Sequence, residues 1–114
     1  MSGPITLPET DVDVEEQQEH RTKRQPPYHV VLLNDDDHSY EYVIIMLQQL
    51  FGHPREKGFL LAKEVDSNGR VIVDTTSRER AELKQDQIHA FGPDPLSSKD
   101  CKGSMTAVIE PAYD

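Results

Sequence analysis

The residues best suited to do chemistry form one acidic turn between an apolar stretch and an amphipathic one. Residues 32 to 52 read LLNDDDHSYEYVIIMLQQLFG, with Asp35, Asp36 and Asp37 in a row. Helix formation needs no such run, so the turn suggests a site for a positive charge. Adjacent side chains point in different directions, so only one or two could converge on a metal ion. A solvated turn with Asp side chains capping backbone amides is the usual alternative, and we favour it for Asp36 and Asp37.

Other catalytic and metal-binding patterns are weak. Residues 64–75, EVDSNGRVIVDT, resemble a calcium-binding loop, but Thr75 stands where that loop needs a bidentate glutamate. The sequence has no serine nucleophile elbow and no zinc signature. Cys101 is the only cysteine, which excludes a disulfide framework. We therefore predict no enzymatic activity, no metal and no cofactor.

Composition and charge restrict the partners. The net charge is −9 at pH 7, which argues against nucleic acid and anionic membranes and favours a cationic ligand or a basic partner. Solubility alone is the simpler explanation of such a charge. No apolar run could span a bilayer or serve as a signal peptide, so a cytoplasmic protein is expected. Residues 1–27 hold four of the eight prolines and no apolar periodicity. They are predicted to be a disordered extension before one compact domain, residues 28–114.

Hydrophobic periodicity predicts the order β-α-α-β-α-β. The strand YHVVLLN precedes a helix whose apolar face runs from Tyr40 to Phe51 and which ends at Gly52. A second helix follows Pro54 and ends at a DSNG turn, after which RVIVDT is a strand. A capping box of Thr76 and Glu79 opens a third helix, and MTAVIE is the last strand. The expected fold is α+β, with a small three-stranded antiparallel sheet covered on one face by three helices.

Four segments carry a family resemblance. PPYHVVLLNDDDHSYEYVIIMLQQLF, LLAKEVDSNGRVIV, SRERAELKQDQIHA and MTAVIEPA are similar to the ClpS family of adaptors. These adaptors deliver proteins with destabilising N-terminal residues (N-degrons) to Clp-type AAA+ unfoldases. The resemblance implies a monomeric, non-enzymatic adaptor that binds free hydrophobic N-termini of substrate proteins. The alternative is a regulatory partner of the unfoldase whose degenerate pocket reads no N-terminus.

The resemblance also implies a set of site residues. Asn34, Asp35 and Asp66 would bind the substrate's α-amino group, with Asp66 standing where the family commonly has a histidine. The first side chain would enter a pocket formed by His38, Tyr40, Val43, Ala62, Val65 and Met105. Glu79 and Lys84, both expected to be exposed on the third helix, match positions that dock onto the N-terminal domain of the unfoldase.

Several of these positions depart from the family pattern. Tyr40 replaces a methionine, Ala62 stands where methionine is frequent, and His38 replaces a helix-capping threonine. Asp66 adds a second carboxylate near Asp35, so we expect a steeper dependence of binding on pH and salt. Leu, Phe, Tyr and Trp are the expected first residues, with Ile, Val or a basic residue as less favoured options.

Overall fold

A three-stranded antiparallel sheet and three helices form the described part of the chain, residues 25–97 and 103–113 of a computed structural model. In chain order the elements are β1 (Tyr28–Leu33), α1 (Tyr40–Phe51), α2 (Arg55–Asn68), β2 (Arg70–Thr76), α3 (Arg78–His89) and β3 (Thr106–Pro111). The strand order is β2-β1-β3. The predicted α+β fold and element order are confirmed. The predicted disordered extension lies outside the described residues as far as position 24.

The first strand is the centre of the sheet because it is the most apolar. Val30, Val31 and Leu32 are fully buried, and β1 pairs antiparallel with β2 on one side and β3 on the other. Successive side chains of a strand point to opposite faces. Val30 and Leu32 belong to the main core cluster, which also holds buried side chains from all three helices of the described chain. The helices therefore cover the face of the sheet that carries these two residues.

The opposite face of the sheet has a short apolar row. Val31 lies between Ile72 of β2 and Val108 of β3 in the strand register. Arg70 of β2 and Glu110 of β3 form an ion pair of 2.7 Å. Because β1 lies between these two strands, the paired side chains extend over β1. Ile72 remains 45% exposed.

The first helix begins one residue later than a cap at His38 would require. Ser39 is the N-cap, with an extended backbone and a hydroxyl that accepts from the Tyr42 amide at 3.2 Å. Gly52 ends the helix in the left-handed conformation at φ 73°, as predicted. The N-cap of α1 is therefore Ser39 and not His38.

The second helix is longer than predicted, and the DSNG turn was wrong. Asp66 lies in its last turns, and the chain leaves the helix only at Gly69, where φ is 85°. Polar residues cost an exposed helix end little, whereas the left-handed exit strongly favours glycine. The calcium-like segment thus divides between α2 and β2 and forms no loop. The extra turn also sets Asp66 on a rigid element.

Close approach of the first two helices depends on Gly58. A Cβ at this position would lie 3.3 Å from the Cα of Ile44 on α1. Glycine is a poor helix former, and its place in α2 is explained by the tight helix packing that it permits.

The third helix is also capped differently from the prediction. Ser77 is its N-cap, and its hydroxyl accepts from the Arg80 amide at 3.3 Å. Thr76 is still part of β2, opposite Tyr28 of β1, so the capping box of Thr76 and Glu79 was wrong. Of the helices in the described chain, none has the length and apolar character needed to cross a membrane.

Candidate functional site

The acidic turn between β1 and α1 is held by its own side chains. The Asn34 side chain donates to the Asp36 carboxylate at 2.9 Å, and its carbonyl oxygen lies 3.3 Å from the Asp36 amide. Asp35 accepts from the Asp37 amide at 3.0 Å. Asp36 has a positive φ of 63°, which Asn and Asp tolerate better than most residues. The acceptors for turn amides are thus Asn34 and Asp35, whereas the sequence assigned this role to Asp36 and Asp37.

His38 packs into the turn as a buried link rather than as part of a pocket surface. Its Nδ1 lies 2.9 Å from both carboxylate oxygens of Asp35, and its Nε2 lies 2.9 Å from the Gly103 carbonyl oxygen. The ring also packs on Tyr42, with the two centroids 4.5 Å apart. Only 3% of the His38 side chain is exposed, against 31% for Asp35.

The surroundings of His38 favour its charged form. Burial is the largest influence and lowers the pKa. The hydrogen bonds to Asp35 and to the Gly103 carbonyl, with the negative charges of Asp35 and Asp94, together outweigh it. The pKa of His38 is therefore raised above its ordinary 6.5.

A buried carboxylate behind the turn was missed by the sequence analysis. Asp94 is 4% exposed. It accepts from the amides of Ser39 at 2.6 Å and Leu96 at 2.8 Å. Burial, the largest influence, raises its pKa, but these hydrogen bonds and the His38 charge lower it further, so the pKa lies below its ordinary 3.8. Asp94 thus anchors the start of α1, a contact that no local pattern reveals.

A hydrogen bond between helices involves two of the predicted site residues. The Tyr40 hydroxyl donates to the Asp66 carboxylate at 2.7 Å. The Tyr40 ring meets Phe59 edge-on at a centroid distance of 5.9 Å. Phe59, Ala62 and Asp66 lie on one face of α2 by helical spacing, so the tyrosine passes over the small Ala62. The bond to Asp66 raises the pKa of Tyr40, since it favours the protonated phenol.

The other predicted pocket residues are buried. Val43, Ala62, Val65 and Met105 are between 1% and 3% exposed and belong to the core cluster. The structure thus places all four in the core that the three helices form with the sheet. Next to Phe59 an apolar depression of about 400 Å³ opens between α1 and α2, lined by Ile44, Arg55, Glu56, Phe59 and Leu60.

One of the two predicted docking residues lies in an unexpected environment. Glu79 is exposed in the first turn of α3, as expected. Lys84 was expected to be exposed, but it is only 8% exposed. Its ammonium donates to the Leu50 carbonyl and sits 5.3 Å from the centroid of the Phe51 ring. Lys84 thus stabilises the carboxyl end of α1. The last carbonyls of a helix lack partners within the helix, and this helix has no basic residue of its own in its last turn.

Within residues 25–97 and 103–113, no cluster of three His, Cys, Asp or Glu side chains is arranged to hold a metal ion. Cys101 lies outside this part of the chain.

Comparison with known proteins identifies the class. The family model for the ATP-dependent Clp protease adaptor protein ClpS matches residues 23–98, and the chain belongs to the ClpS family. It is therefore an adaptor protein for a Clp protease. No curated protein sequence matches it.

Among solved structures, Agrobacterium tumefaciens ClpS2 bound to L-phenylalaninamide is similar to this chain. The two share 24% sequence identity at a TM-score of 0.66, over 77% of this chain and 99% of that one. The likeness agrees with the fold described above.

Proposed function

We propose that this chain binds the free N-terminus of substrate proteins with a hydrophobic first residue and delivers them to a Clp-type AAA+ unfoldase. The observation that carries the proposal is the Asp35 carboxylate, partly exposed at the strand-to-helix corner. The Asp37 amide and the His38 ring fix its position. An α-ammonium has three donors, and a carboxylate that is already ordered can accept from it with little further loss of freedom.

The relative from Agrobacterium supports this reading. Its ligand, L-phenylalaninamide, has a free amine beside an aromatic side chain. The same pair of groups would meet Asn34 and Asp35 on one side and the apolar set of Val43, Ala62 and Met105 on the other. Recognition of both groups would distinguish a chain terminus from an interior residue.

The energies are compatible with a weak but useful affinity. Each charge-assisted hydrogen bond contributes about 1.5–3 kcal/mol net, and burial of a Leu or Phe side chain adds roughly 1.5–3 kcal/mol. Association costs at least about 4 kcal/mol. Micromolar binding, about −8 kcal/mol, requires most of these contacts at once.

The proposal extends to where the protein acts and which partners it binds. The protein acts in the cytoplasm as a monomer, catalyses no reaction and binds neither nucleic acid nor membrane, in keeping with its net charge of −9. Docking onto the N-terminal domain of the unfoldase would use Glu79, which is exposed near the start of α3.

A second candidate function has one observation in its favour. Asp66, the expected third ligand of the amine, already accepts from the Tyr40 hydroxyl. A pocket closed in this way would leave a regulatory protein that occupies the unfoldase and reads no N-terminus.

Peptide binding separates the two candidates. Fluorescence anisotropy is measured with labelled peptides that begin with Phe or Leu, each beside an N-acetylated twin. Binding of the free peptides alone is expected, and Asp35→Asn should weaken it at least about tenfold. Asp37→Asn, which removes the same charge from the same turn, is the matched control and should bind normally. Equal signals from a peptide and its acetylated twin would refute the proposal.

A further inference from the structure

His38 connects the two halves of the proposed site. One ring nitrogen contacts Asp35, the proposed ligand of the amine, and the other contacts the Gly103 carbonyl, each at 2.9 Å. Gly103 precedes Met105 by two residues, and Met105 is 2% exposed and belongs to the core cluster that holds Val43, Ala62 and Val65. A single side chain therefore joins the acidic turn to the short segment that leads to Met105.

The partners of His38 favour its charged form. A carboxylate and a carbonyl oxygen are both acceptors, and the imidazolium, with a proton on each ring nitrogen, can donate to both. The charged groups that act on it include Asp35 from the turn and Asp94 from the segment after α3. Tyr42 of α1 supplies the aromatic ring against which it packs.

We propose that His38 is a positioning residue that holds the Asp35 carboxylate and Gly103, in the short described segment before β3, in the arrangement that a substrate N-terminus meets. The inference rests on the proposed function and specifies how that site is organised. The threonine that the family resemblance implies at this position carries a single donor and no charge, and could not donate to both partners.

The arrangement couples peptide binding to a proton. An α-ammonium at Asp35 would place a second cation on the carboxylate that His38 already contacts. Like charges disfavour one another, so the bound peptide should lower the pKa of His38, and by reciprocity protonation of His38 should weaken peptide binding. If the bound peptide lowers the pKa of His38 by about one unit, binding should be roughly tenfold weaker at a pH well below the pKa values of the free and bound states than at a pH above both.

Nuclear magnetic resonance of the wild-type protein tests this directly. The His38 ring nitrogens are followed over pH 5 to 7, where a free α-amine stays protonated, with a saturating Phe-peptide or with its acetylated twin. We expect two protonated nitrogens at the acidic end and a His38 titration that moves to lower pH with the free peptide only. His29 is the internal control, because it bonds Thr75 on the face of the sheet opposite the helices. Its ring signals should be the same with the free peptide and with the acetylated twin.

The outcomes separate this inference from the proposed function. A peptide that binds without moving the His38 titration overturns the positioning role alone. Failure of every free peptide to bind overturns both.

Variants provide a second measurement, the pH profile of peptide binding, which a merely structural role of His38 would not change. His38→Gln keeps one donor for Asp35 and loses the charge, so it should bind the Phe-peptide with a flat pH profile between pH 5 and 7. His38→Ala should show the same flat profile with severalfold weaker binding at pH 7, since Asp35 is no longer held. His29→Gln is the matched control and should keep the wild-type profile. A wild-type pH profile in His38→Gln would refute the inference.

Discussion

The Tyr40 hydroxyl is bonded to the Asp66 carboxylate at 2.7 Å and ties the start of α1 to the last turns of α2. Two departures from the family pattern are thereby joined. A third, Ala62, lies between Phe59 and Asp66 on the same helix face and leaves room for the tyrosine ring. Tyr40 and Asp66 are therefore complementary in hydrogen bonding.

Removal of the Tyr40 hydroxyl should release Asp66. Tyr40→Phe is expected to raise the affinity for a Phe-peptide severalfold, because the freed carboxylate can accept from the α-ammonium. Stability should change little, since the bond is exposed. Anisotropy titrations of both proteins measure the gain. Asp66→Asn in the Tyr40→Phe background should abolish it, and an unchanged affinity in Tyr40→Phe would contradict this prediction.

Lys84 should matter for stability rather than as an exposed handle. Lys84→Ala removes a buried stem and leaves the Leu50 carbonyl without this donor, so the free energy of unfolding should fall by about 2 kcal/mol. Lys84→Met keeps the packing and should lose about 1 kcal/mol. Urea denaturation measures both. Lys63→Ala, on the exposed side of α2, is the control and should lie within about 0.5 kcal/mol of wild type. Wild-type stability of Lys84→Ala would show that the buried contact contributes nothing.

Glu79 provides the cleaner test of docking. Its side chain is exposed, so Glu79→Gln should leave the fold intact and lose less than about 0.5 kcal/mol through the weaker interaction with the helix dipole. Binding to an isolated N-terminal domain of a Clp-type unfoldase, measured by calorimetry, should weaken about tenfold if the carboxylate meets a basic group. Glu82→Gln, one turn further along α3 and also exposed, is the control. Equal binding by wild type and Glu79→Gln would move the docking surface elsewhere.

Asp94 should stabilise the fold in a pH-dependent way. Asp94→Ala leaves the amides of Ser39 and Leu96 without their acceptor, which should cost about 2 kcal/mol near neutral pH. The pKa of Asp94 is lowered on folding, so its stabilisation is present above its ordinary pKa of 3.8 and is lost as the pH falls through the folded value. Thermal unfolding of wild type and variant from pH 2 to 7 measures the difference. A gap of constant size over that range would show that the charge of Asp94 plays no part.

Much of the fold follows from the periodicity of apolar residues. The run around Val31 and the apolar face of α1 have the length and spacing of a central strand and a packed helix, and both form as expected. Helix ends were harder to predict. The residues Asp66 to Asn68 are compatible with a turn and with a helix end. The helix ends at Gly69, because the left-handed backbone that ends it favours glycine.

The candidate site was predictable only in part. The turn residues Asn34 and Asp35 are adjacent in sequence and their grouping is local. The link from His38 to Gly103 spans 65 positions, and the bond from Tyr40 to Asp66 spans 26. Such contacts depend on how the helices pack onto the sheet, and a charged residue such as Lys84 finds a buried partner only once that packing exists.

The position of β1 in the middle of the sheet has a consequence for synthesis. Of the described strands, β1 is synthesised first, and it pairs with both β2 and β3. One hydrogen-bonding edge of β1 therefore stays open until β3, which ends at Pro111, has been translated. A nascent chain stalled shortly before residue 106 would expose this edge, so such intermediates should be prone to aggregation and should depend on holding chaperones until the last strand emerges.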